Sequence, residues 1–215
     1  MQLIGVLAVS LSVIAPVAAL AMVEDAAGPF FTNNVPEGYK IVDMTWTGAL
    51  EEGGKEYSFK GTIESVETQI KELNPDWSLL NLVNETSVLE SRSDLSKRNQ
   101  IFPVLCNNRP EGYADSLVIA QGIMYLEGLG RCHIPARACA RVSCSWNSAI
   151  WACNDNYGDI TPACPYLADY ARNIINACTV ESSVCGSTLC IYQRNARGQQ
   201  FDTDNYNVIV AGDRC

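Results

Sequence analysis

The sequence predicts an α+β fold: a disulfide-stapled two-layer sandwich of two helices on an antiparallel sheet, in the order α-β-β-α-β-β, preceded by a small β-β-α segment. Three observations lead to this prediction. All 10 cysteines lie in the C-terminal part of the chain, from Cys106 to Cys215. Two stretches of this part have apolar residues at helical spacing, and two others alternate apolar with polar residues around a turn.

Residues 1–21 are expected to be a signal peptide. The apolar run from Leu3 to Ala21 ends in Ala19-Leu20-Ala21, a small-x-small cleavage signal, so the mature chain should begin at Met22. No second apolar run of this length follows in the sequence, and we expect no membrane span after the signal peptide is removed.

Residues 22–98 form an acidic segment without cysteine, with 7 basic and 14 acidic residues. Strands are predicted at 41–48 and 57–61, where β-forming residues flank a glycine-rich turn. A helix is predicted over 62–74 with Thr62 as its N-cap, because apolar residues recur there at helical spacing. These apolar residues are Ile63, Val66, Ile70 and Leu73.

The acidic segment ends in the dibasic pair Lys97-Arg98, within a polar stretch that lacks hydrophobic periodicity. Kexin-type proteases cut after such pairs, so we expect 22–98 to be a propeptide and 99–215 to be the released Cys-rich domain. The alternative is that 22–98 is retained as an N-terminal module. Asn84 begins the sequon Asn-Glu-Thr, and glycosylation there would fit secretion.

The Cys-rich domain is predicted to begin with a helix over 111–126, which two glycines end. A hairpin follows, in which 140–146 and 149–153 are the strands and Asn147-Ser148 forms the turn. The alternation along the first strand places Val142, Cys144 and Trp146 on one face of the sheet.

The second helix is expected to have Thr161 as its cap and Pro162 in its first turn, and to continue to Cys178 along one apolar stripe. A closing hairpin is expected to pair 189–193 with 205–210, with the stretch 194–198 turning the chain between them.

Cysteines behind a signal peptide indicate disulfides, because thiols pair in an oxidising compartment. Their pairing is left open by the sequence, except that Cys164 and Cys178 lie about 21 Å apart on one helix and cannot pair with each other. No metal is expected, because CxxC is absent from the sequence, His133 is its only histidine, and 154–159 lacks the ligand spacing of a calcium loop. The ten cysteines are Cys106, Cys132, Cys139, Cys144, Cys153, Cys164, Cys178, Cys185, Cys190 and Cys215.

The Cys-rich domain has 8 arginines, no lysine and 10 acidic residues. A nearly neutral domain without a basic stripe does not fit a phosphate backbone, so a nucleic-acid partner is not expected. A cofactor is not expected either.

The stretch 139–155, Cys-Ala-Arg-Val-Ser-Cys-Ser-Trp-Asn-Ser-Ala-Ile-Trp-Ala-Cys-Asn-Asp, resembles a family of uncharacterised small secreted cysteine-rich proteins of filamentous fungi, which are effector candidates. The resemblance continues through 167–172 and 206–210. A looser, architectural likeness is to fungal killer toxins and necrosis-inducing effectors. The resemblance implies export from a fungus and gives no activity, because a fold does not imply a function.

Catalysis has few candidate residues. A Ser-His-Asp or Cys-His hydrolase would need His133, and oxidised cysteines supply no thiolate. The carboxylate pairs Asp155 with Asp159 and Asp202 with Asp204 flank turns, where solvated side chains are the ordinary expectation. We therefore expect no catalytic residue; an extracellular carboxylate-dependent hydrolase is the alternative.

Binding is the function that we expect, and Trp146 and Trp151 are the aromatic candidates. If the face that holds Val142 and Cys144 packs on the helices, Trp146 belongs to the core. Otherwise the two rings form an exposed patch for a partner or a glycan.

Arg131, Arg137 and Arg141 cluster around the first strand of the hairpin, either as a solvated rim or as a site for an acidic partner, with Arg137 and Arg141 as binding candidates. We expect a secreted effector- or toxin-like protein that recognises an extracellular or host protein or glycan. A protease inhibitor or a cell-wall structural protein is a further alternative.

Overall fold

The structure is a computed structural model, and it describes residues 36–51, 53–77, 99–185 and 189–215. The predictions for the signal peptide 1–21, for Asn84 and for Lys97-Arg98 fall outside these residues. Within them, no helix combines the length and the apolar character needed to cross a membrane.

The acidic segment contains the predicted helix and one more strand than predicted. Its elements are β1 Lys40–Asp43, β2 Thr45–Ala49, β3 Glu56–Lys60 and α1 Ile63–Leu73. The run predicted as one strand over 41–48 is divided at the buried Met44, because β1 and β2 belong to different sheets. Thr62 is the N-cap of α1, as predicted.

The Cys-rich domain is α+β, as predicted, but it has more strands than the predicted order α-β-β-α-β-β. Its elements are β4 Leu105–Cys106, β5 Ala114–Asp115, α2 Ser116–Glu127, β6 Arg131–His133, β7 Ala138–Ser145, β8 Ser148–Asn154, α3 Cys164–Cys178, β9 Thr179–Cys185, β10 Cys190–Ala196, β11 Gly198–Asp202 and β12 Tyr206–Gly212.

The strands in the described parts of the chain form three sheets. The largest has six strands in the order β1-β7-β8-β12-β11-β4, and two sheets of three have the orders β5-β10-β9 and β3-β2-β6. In the six-stranded sheet β1 is parallel to β7, and the other pairings described are antiparallel. The acidic segment therefore supplies strands to two sheets that also contain the Cys-rich domain.

The two parts of the chain also share one core. On α1, the Glu64 carboxylate accepts hydrogen bonds from the Ser143 hydroxyl at 2.6 Å and from the Cys144 backbone N–H at 3.2 Å. The apolar side chains of β2, β3 and α1 are buried in the same cluster as those of α2 and α3; they include Trp46, Phe59, Ile63, Val66 and Ile70. We conclude that the described acidic segment packs as an integral part of the fold.

Helix α2 packs closely on the sheet at Gly122, where a Cβ atom would lie only 2.5 Å from Ser143 Oγ. The helix begins at Ser116 and not at 111 as predicted. Its N-cap is Asp115, whose carboxylate accepts hydrogen bonds from the backbone N–H groups of the first turn.

The predicted start of the second helix is also wrong. Helix α3 begins at Cys164, because the preceding residues pair with β6: the Cys132 N–H donates to Pro162 O, and the Cys164 N–H donates to Gly130 O, both at 3.0 Å. Thr161 therefore does not cap α3, and the proline in its first turn is Pro165.

The predicted closing hairpin is wrong in its pairing. Strand β10 pairs antiparallel with β9 over its whole length, and β11 pairs with β12. The stretch 194–198 does not turn the chain back toward 205–210, because most of it belongs to β10. Alternation along β10 does not distinguish β9 from β12 as its partner, so the sequence pattern could not predict this pairing.

A β-bulge between Arg141 and Ser143 interrupts the pairing of β7 with β8. A bulge adds one residue to a strand and so reverses the faces of the residues that follow. Val142 packs in the core beneath the helices, whereas Cys144 packs on the opposite face of the sheet. The prediction that Val142 and Cys144 share a face is therefore wrong.

All ten cysteines form five disulfides, as predicted, and Cys164 and Cys178 each reach a partner outside α3. The difference in residue number between the two cysteines varies widely among the bridges, from 5 to 72. The pairs are Cys106–Cys178, Cys132–Cys164, Cys139–Cys153, Cys144–Cys215 and Cys185–Cys190.

Candidate functional site

The tip of the β7–β8 hairpin presents Trp146 to solvent. Trp146 and Asn147 form the two-residue connection between the strands, which we call the Trp146 turn, and both have positive φ, 47° and 56°. This is the backbone of a type I′ turn, in which Asn and Gly are favoured at both positions. The Trp146 side chain is 84% exposed, so the interpretation that places it in the core is wrong.

The backbone of the Trp146 turn is anchored on both sides. The Asp213 N–H donates to Asn147 O at 3.1 Å, and the Ser148 hydroxyl donates to Trp146 O at 3.3 Å. The bridge Cys144–Cys215 holds the preceding strand to the C-terminal residues. The turn is therefore fixed while its indole ring remains in solvent. The sequence prediction placed the turn one residue later, at Asn147-Ser148, but Ser148 is the first residue of β8.

Trp151 does not share this exposed position. It lies in the middle of β8, its side chain is fully buried, and it packs on the sheet face that also holds the bridge Cys139–Cys153. The alternative in which Trp146 and Trp151 form one exposed aromatic patch is therefore wrong. Of the two tryptophans, Trp146 is available to a partner.

A second exposed apolar surface lies on the hairpin of β9 and β10, which together with Leu189 we call the stapled arm. Cys185 and Cys190 are directly opposite in the strand register and are bridged to each other. Leu189, Ile191 and Tyr192 are exposed near this bridge, with Tyr192 at 80%. A two-stranded hairpin is marginally stable by itself, and the bridge holds its exposed end closed.

The sequence prediction missed the stapled arm because it paired 189–193 with the wrong strand. One signal in the sequence points to it. Cys185 and Cys190 are separated by four residues, a spacing that allows two cysteines to face each other across a tight hairpin.

Arg137 and Asp155 bind a tyrosine of the acidic segment, in an arrangement that we call the Tyr39 clamp. The Tyr39 hydroxyl donates to Asp155 Oδ1 at 2.6 Å and accepts from Arg137 Nη1 at 2.9 Å. The Arg137 guanidinium carbon lies 4.1 Å from the centre of the Tyr39 ring. Burial and the hydrogen bond to Asp155 raise the pKa of Tyr39 to about 12.

The turn before β1 positions Tyr39 for the clamp. The Tyr39 N–H donates to Pro36 O at 3.1 Å, and Gly38 at the third position of this turn has φ of 82°. This conformation favours glycine, because a Cβ atom crowds the backbone at positive φ. Arg137 also has a positive φ, 49°, which is uncommon for a residue other than glycine.

The other arginines contact their own fold. Arg141 Nη1 donates to Arg214 O at 2.9 Å, and its guanidinium carbon lies 5.7 Å from the centre of the Trp151 ring. Arg131 Nη2 donates to Thr161 O. Arg141 and Arg131 are therefore each held by a hydrogen bond to a backbone carbonyl of the Cys-rich domain.

His133 and Asp159 are neighbours on the surface, with His133 Nε2 at 3.1 Å from Asp159 Oδ2. Asp159 also accepts the Ala136 N–H at 2.9 Å. The backbone hydrogen bond first, and the His133 contact second, lower the pKa of Asp159. A carboxyl with a lowered pKa is ionised at neutral pH, which does not suit it for donating a proton.

The remaining carboxylates are held by donors of the fold. Asp202 is buried and accepts hydrogen bonds from the hydroxyls of Tyr166 and Tyr170. Burial raises the pKa of both tyrosines above the ordinary range, so they remain protonated donors to Asp202. Asp204 accepts from Asn99 Nδ2 at 3.2 Å. These contacts give each carboxylate a structural role in the described part of the chain.

Asp155 and Asp204 belong to neighbouring turns, since Asn156 Nδ2 donates to Asp204 O at 2.8 Å. In the ranges that the structure describes, His, Cys, Asp and Glu side chains do not gather in a group of three that could hold a metal ion. The structure brings together the two turns that the sequence singled out. Large exposed side chains that a partner could contact lie on the Trp146 turn and on the stapled arm.

The chain matches no protein-family model, no curated protein and no solved structure.

Proposed function

We propose that the chain is a secreted, effector- or toxin-like protein of a fungus that binds an extracellular or host protein or glycan through exposed side chains, and that it acts by recognition and not by catalysis. The observation that supports this proposal best is Trp146, a large aromatic residue that is 84% exposed at positive φ. A bulky residue in this conformation costs about 1 kcal/mol of folding free energy. The fold gains no buried contact in return, so the residue serves something other than folding.

Tryptophan is well suited to recognition. A large ring with two rotatable bonds provides contact area at a low cost in conformational entropy, and tryptophan is enriched among residues that dominate binding energies. The fixed backbone of the Trp146 turn reduces this cost further, because a rigid loop loses less freedom on binding. The stapled arm combines the same features, with exposed apolar side chains beside a disulfide.

Secretion is supported by the disulfides. Five bridges are consistent with an extracellular protein, because disulfides persist in oxidising compartments and are rare in the cytosol. The exposed Cys185–Cys190 bridge would be the first to encounter a reductant.

The Trp146 turn provides a direct test. Trp146→Asn is expected to raise the free energy of unfolding by about 0.5–1 kcal/mol, because asparagine tolerates positive φ. The same change should weaken activity by about thirtyfold or more, because the aromatic anchor is lost. Stability is measured by denaturant unfolding with the bridges intact, and activity as plant-cell death or inhibition of a competing microbe.

Tyr157→Asn is the matched control for stability, since Tyr157 is 91% exposed and does not have positive φ. It is not used for activity, because the Tyr157 ring lies 5.5 Å from the Arg137 guanidinium carbon. It should leave stability within about 0.5 kcal/mol. Full activity of Trp146→Asn would contradict recognition by this turn.

We further propose that a kexin-type protease cuts after Lys97-Arg98. The segment 22–98 has no cysteine, so after cleavage it would be held by its strands and core contacts alone. Under denaturing conditions, the mass of the secreted protein should show a chain that begins at Asn99 and lacks ten hydrogens. Under native conditions, 22–98 should remain bound to it.

Lys97→Ala combined with Arg98→Ala is the control, and it should leave the protein as one chain. A secreted one-chain form of the parent protein in a kexin-competent host would exclude the processing.

A further inference from the structure

The β7 edge is occupied by a strand that is weakly held. Strand β1 has four residues, and Lys40, Ile41 and Asp43 are exposed while Val42 is half-buried. Its pairing with β7 is parallel, which is slightly less stable per residue than antiparallel pairing. By contrast, β2, β3 and α1 bury large apolar side chains in the core. We therefore expect β1 to open more easily than β2, β3 and α1.

The Tyr39 clamp, next to the N-terminal end of β1, provides the contacts that a tyrosine side chain requires. A phenol placed in the Tyr39 clamp meets an acceptor at 2.6 Å on Asp155, a donor at 2.9 Å on Arg137, and the guanidinium face at 4.1 Å. Both partners are also held independently of Tyr39, because Asn207 Nδ2 donates to Asp155 Oδ2 at 3.1 Å and Arg137 Nη1 donates to the backbone Asp155 O at 3.3 Å. The clamp would thus persist if β1 moved away.

The backbone next to the clamp supplies the second half of the site. The Lys40 N–H donates to Arg137 O at 3.0 Å, so the strand starts pairing one residue after the tyrosine. The pairing then continues from Ala138 to Arg141. An extended segment that entered here would add a strand to the sheet while its tyrosine entered the clamp, which is the strand-addition mode of peptide recognition.

We propose that the β7 edge and the Tyr39 clamp form a binding groove for an extended segment of a partner protein that carries a tyrosine immediately before the strand, and that β1 is its exchangeable resident. The weak burial of β1 and the specific contacts of Tyr39 together carry this inference. It goes beyond recognition by the Trp146 turn and does not depend on it.

The test uses the whole chain and a fluorescent peptide with the sequence of residues 36–43. In the opened variant, Tyr39→Ala with Val42→Pro, the resident strand loses the clamp contact and a backbone donor. The control variant, Lys40→Ala with Asp43→Ala, changes two exposed side chains of the same strand. The opened variant should bind the peptide at least about tenfold more tightly than the parent or the control, because a tethered resident competes at a high effective concentration.

The peptide itself carries the specificity test. A Tyr→Phe peptide should bind the opened variant about tenfold more weakly, because the half-buried Arg137 and Asp155 side chains lose a hydrogen-bond partner. A Lys→Ala peptide should bind it as the parent peptide does. Equal binding of the parent peptide to the opened and control variants, or equal binding of the parent and Tyr→Phe peptides, would overturn the proposal.

Hydrogen exchange on the unmodified chain gives a result that does not depend on the folding of any variant. The Val42 amide should exchange at least about a hundredfold faster than the Trp151 amide of β8, because β1 opens without the rest of the sheet. Equal protection of the two amides would show that β1 is a fixed strand, and the groove would not be accessible.

Discussion

Replacing Trp151 with alanine is expected to lower the free energy of unfolding by about 3–5 kcal/mol. The side chain is fully buried on the sheet face that also holds Cys139, Cys153 and Ile209. Two bridges fix the walls of this cluster, so it cannot collapse into the space that the indole leaves. Denaturant unfolding with the disulfides intact measures the loss.

Trp146→Ala is the matched control, because it removes the same side chain from the same hairpin. Its ring is in solvent, so the free energy of unfolding should change by no more than about 0.5 kcal/mol. The two variants should also separate in activity, with Trp146→Ala impaired at full stability. A loss below about 1 kcal/mol in Trp151→Ala would contradict the buried position of this ring.

Removal of the bridge Cys106–Cys178, through Cys106→Ala with Cys178→Ala, should lower the free energy of unfolding by about 4 kcal/mol. The two cysteines are 72 residues apart, and closing a long loop removes much of the freedom of the unfolded chain. Thermal or denaturant unfolding of the four-bridge protein measures this effect.

The matched control removes the bridge of the stapled arm, through Cys185→Ala with Cys190→Ala. Its cysteines are 5 residues apart, so the same reasoning gives a loss of about 2 kcal/mol. If both variants lost the same stability, loop closure would not be the main contribution of these bridges. The arm variant should nevertheless lose activity if Leu189, Ile191 and Tyr192 contact the target.

Local signals in the sequence were sufficient for several elements. The spacing of Ile63, Val66 and Ile70 predicts helix α1. The helix that separates Cys164 from Cys178 excludes a bridge between these two cysteines. Interactions between distant residues decided the others. The start of α3 depends on pairing with β6, and the partner of β10 depends on competition between strands. Neither is encoded in a short window of sequence.

The candidate site was less predictable than the fold. The bulge near Val142 reverses the alternation along β7, so the pattern could not tell which residues share a face with the helices. This also left the exposure of Trp146 undecided. The Tyr39 clamp joins residues 116 positions apart, and neither Tyr39 nor Asp155 has a neighbour in sequence that indicates the contact.

If the chain is secreted as proposed, the distance in sequence between Cys144 and Cys215 sets the order in which bridges form during export. The hairpin that carries Cys139 and Cys153 can close as soon as its two strands have entered the lumen, since those cysteines are 14 residues apart. Cys144 lies between them and has to wait while 71 further residues emerge. During that interval its free thiol can exchange with the bridges that form around it, so the Cys144–Cys215 bridge is expected to form after Cys139–Cys153. The turn that displays Trp146 is thus among the last parts of the molecule to be secured.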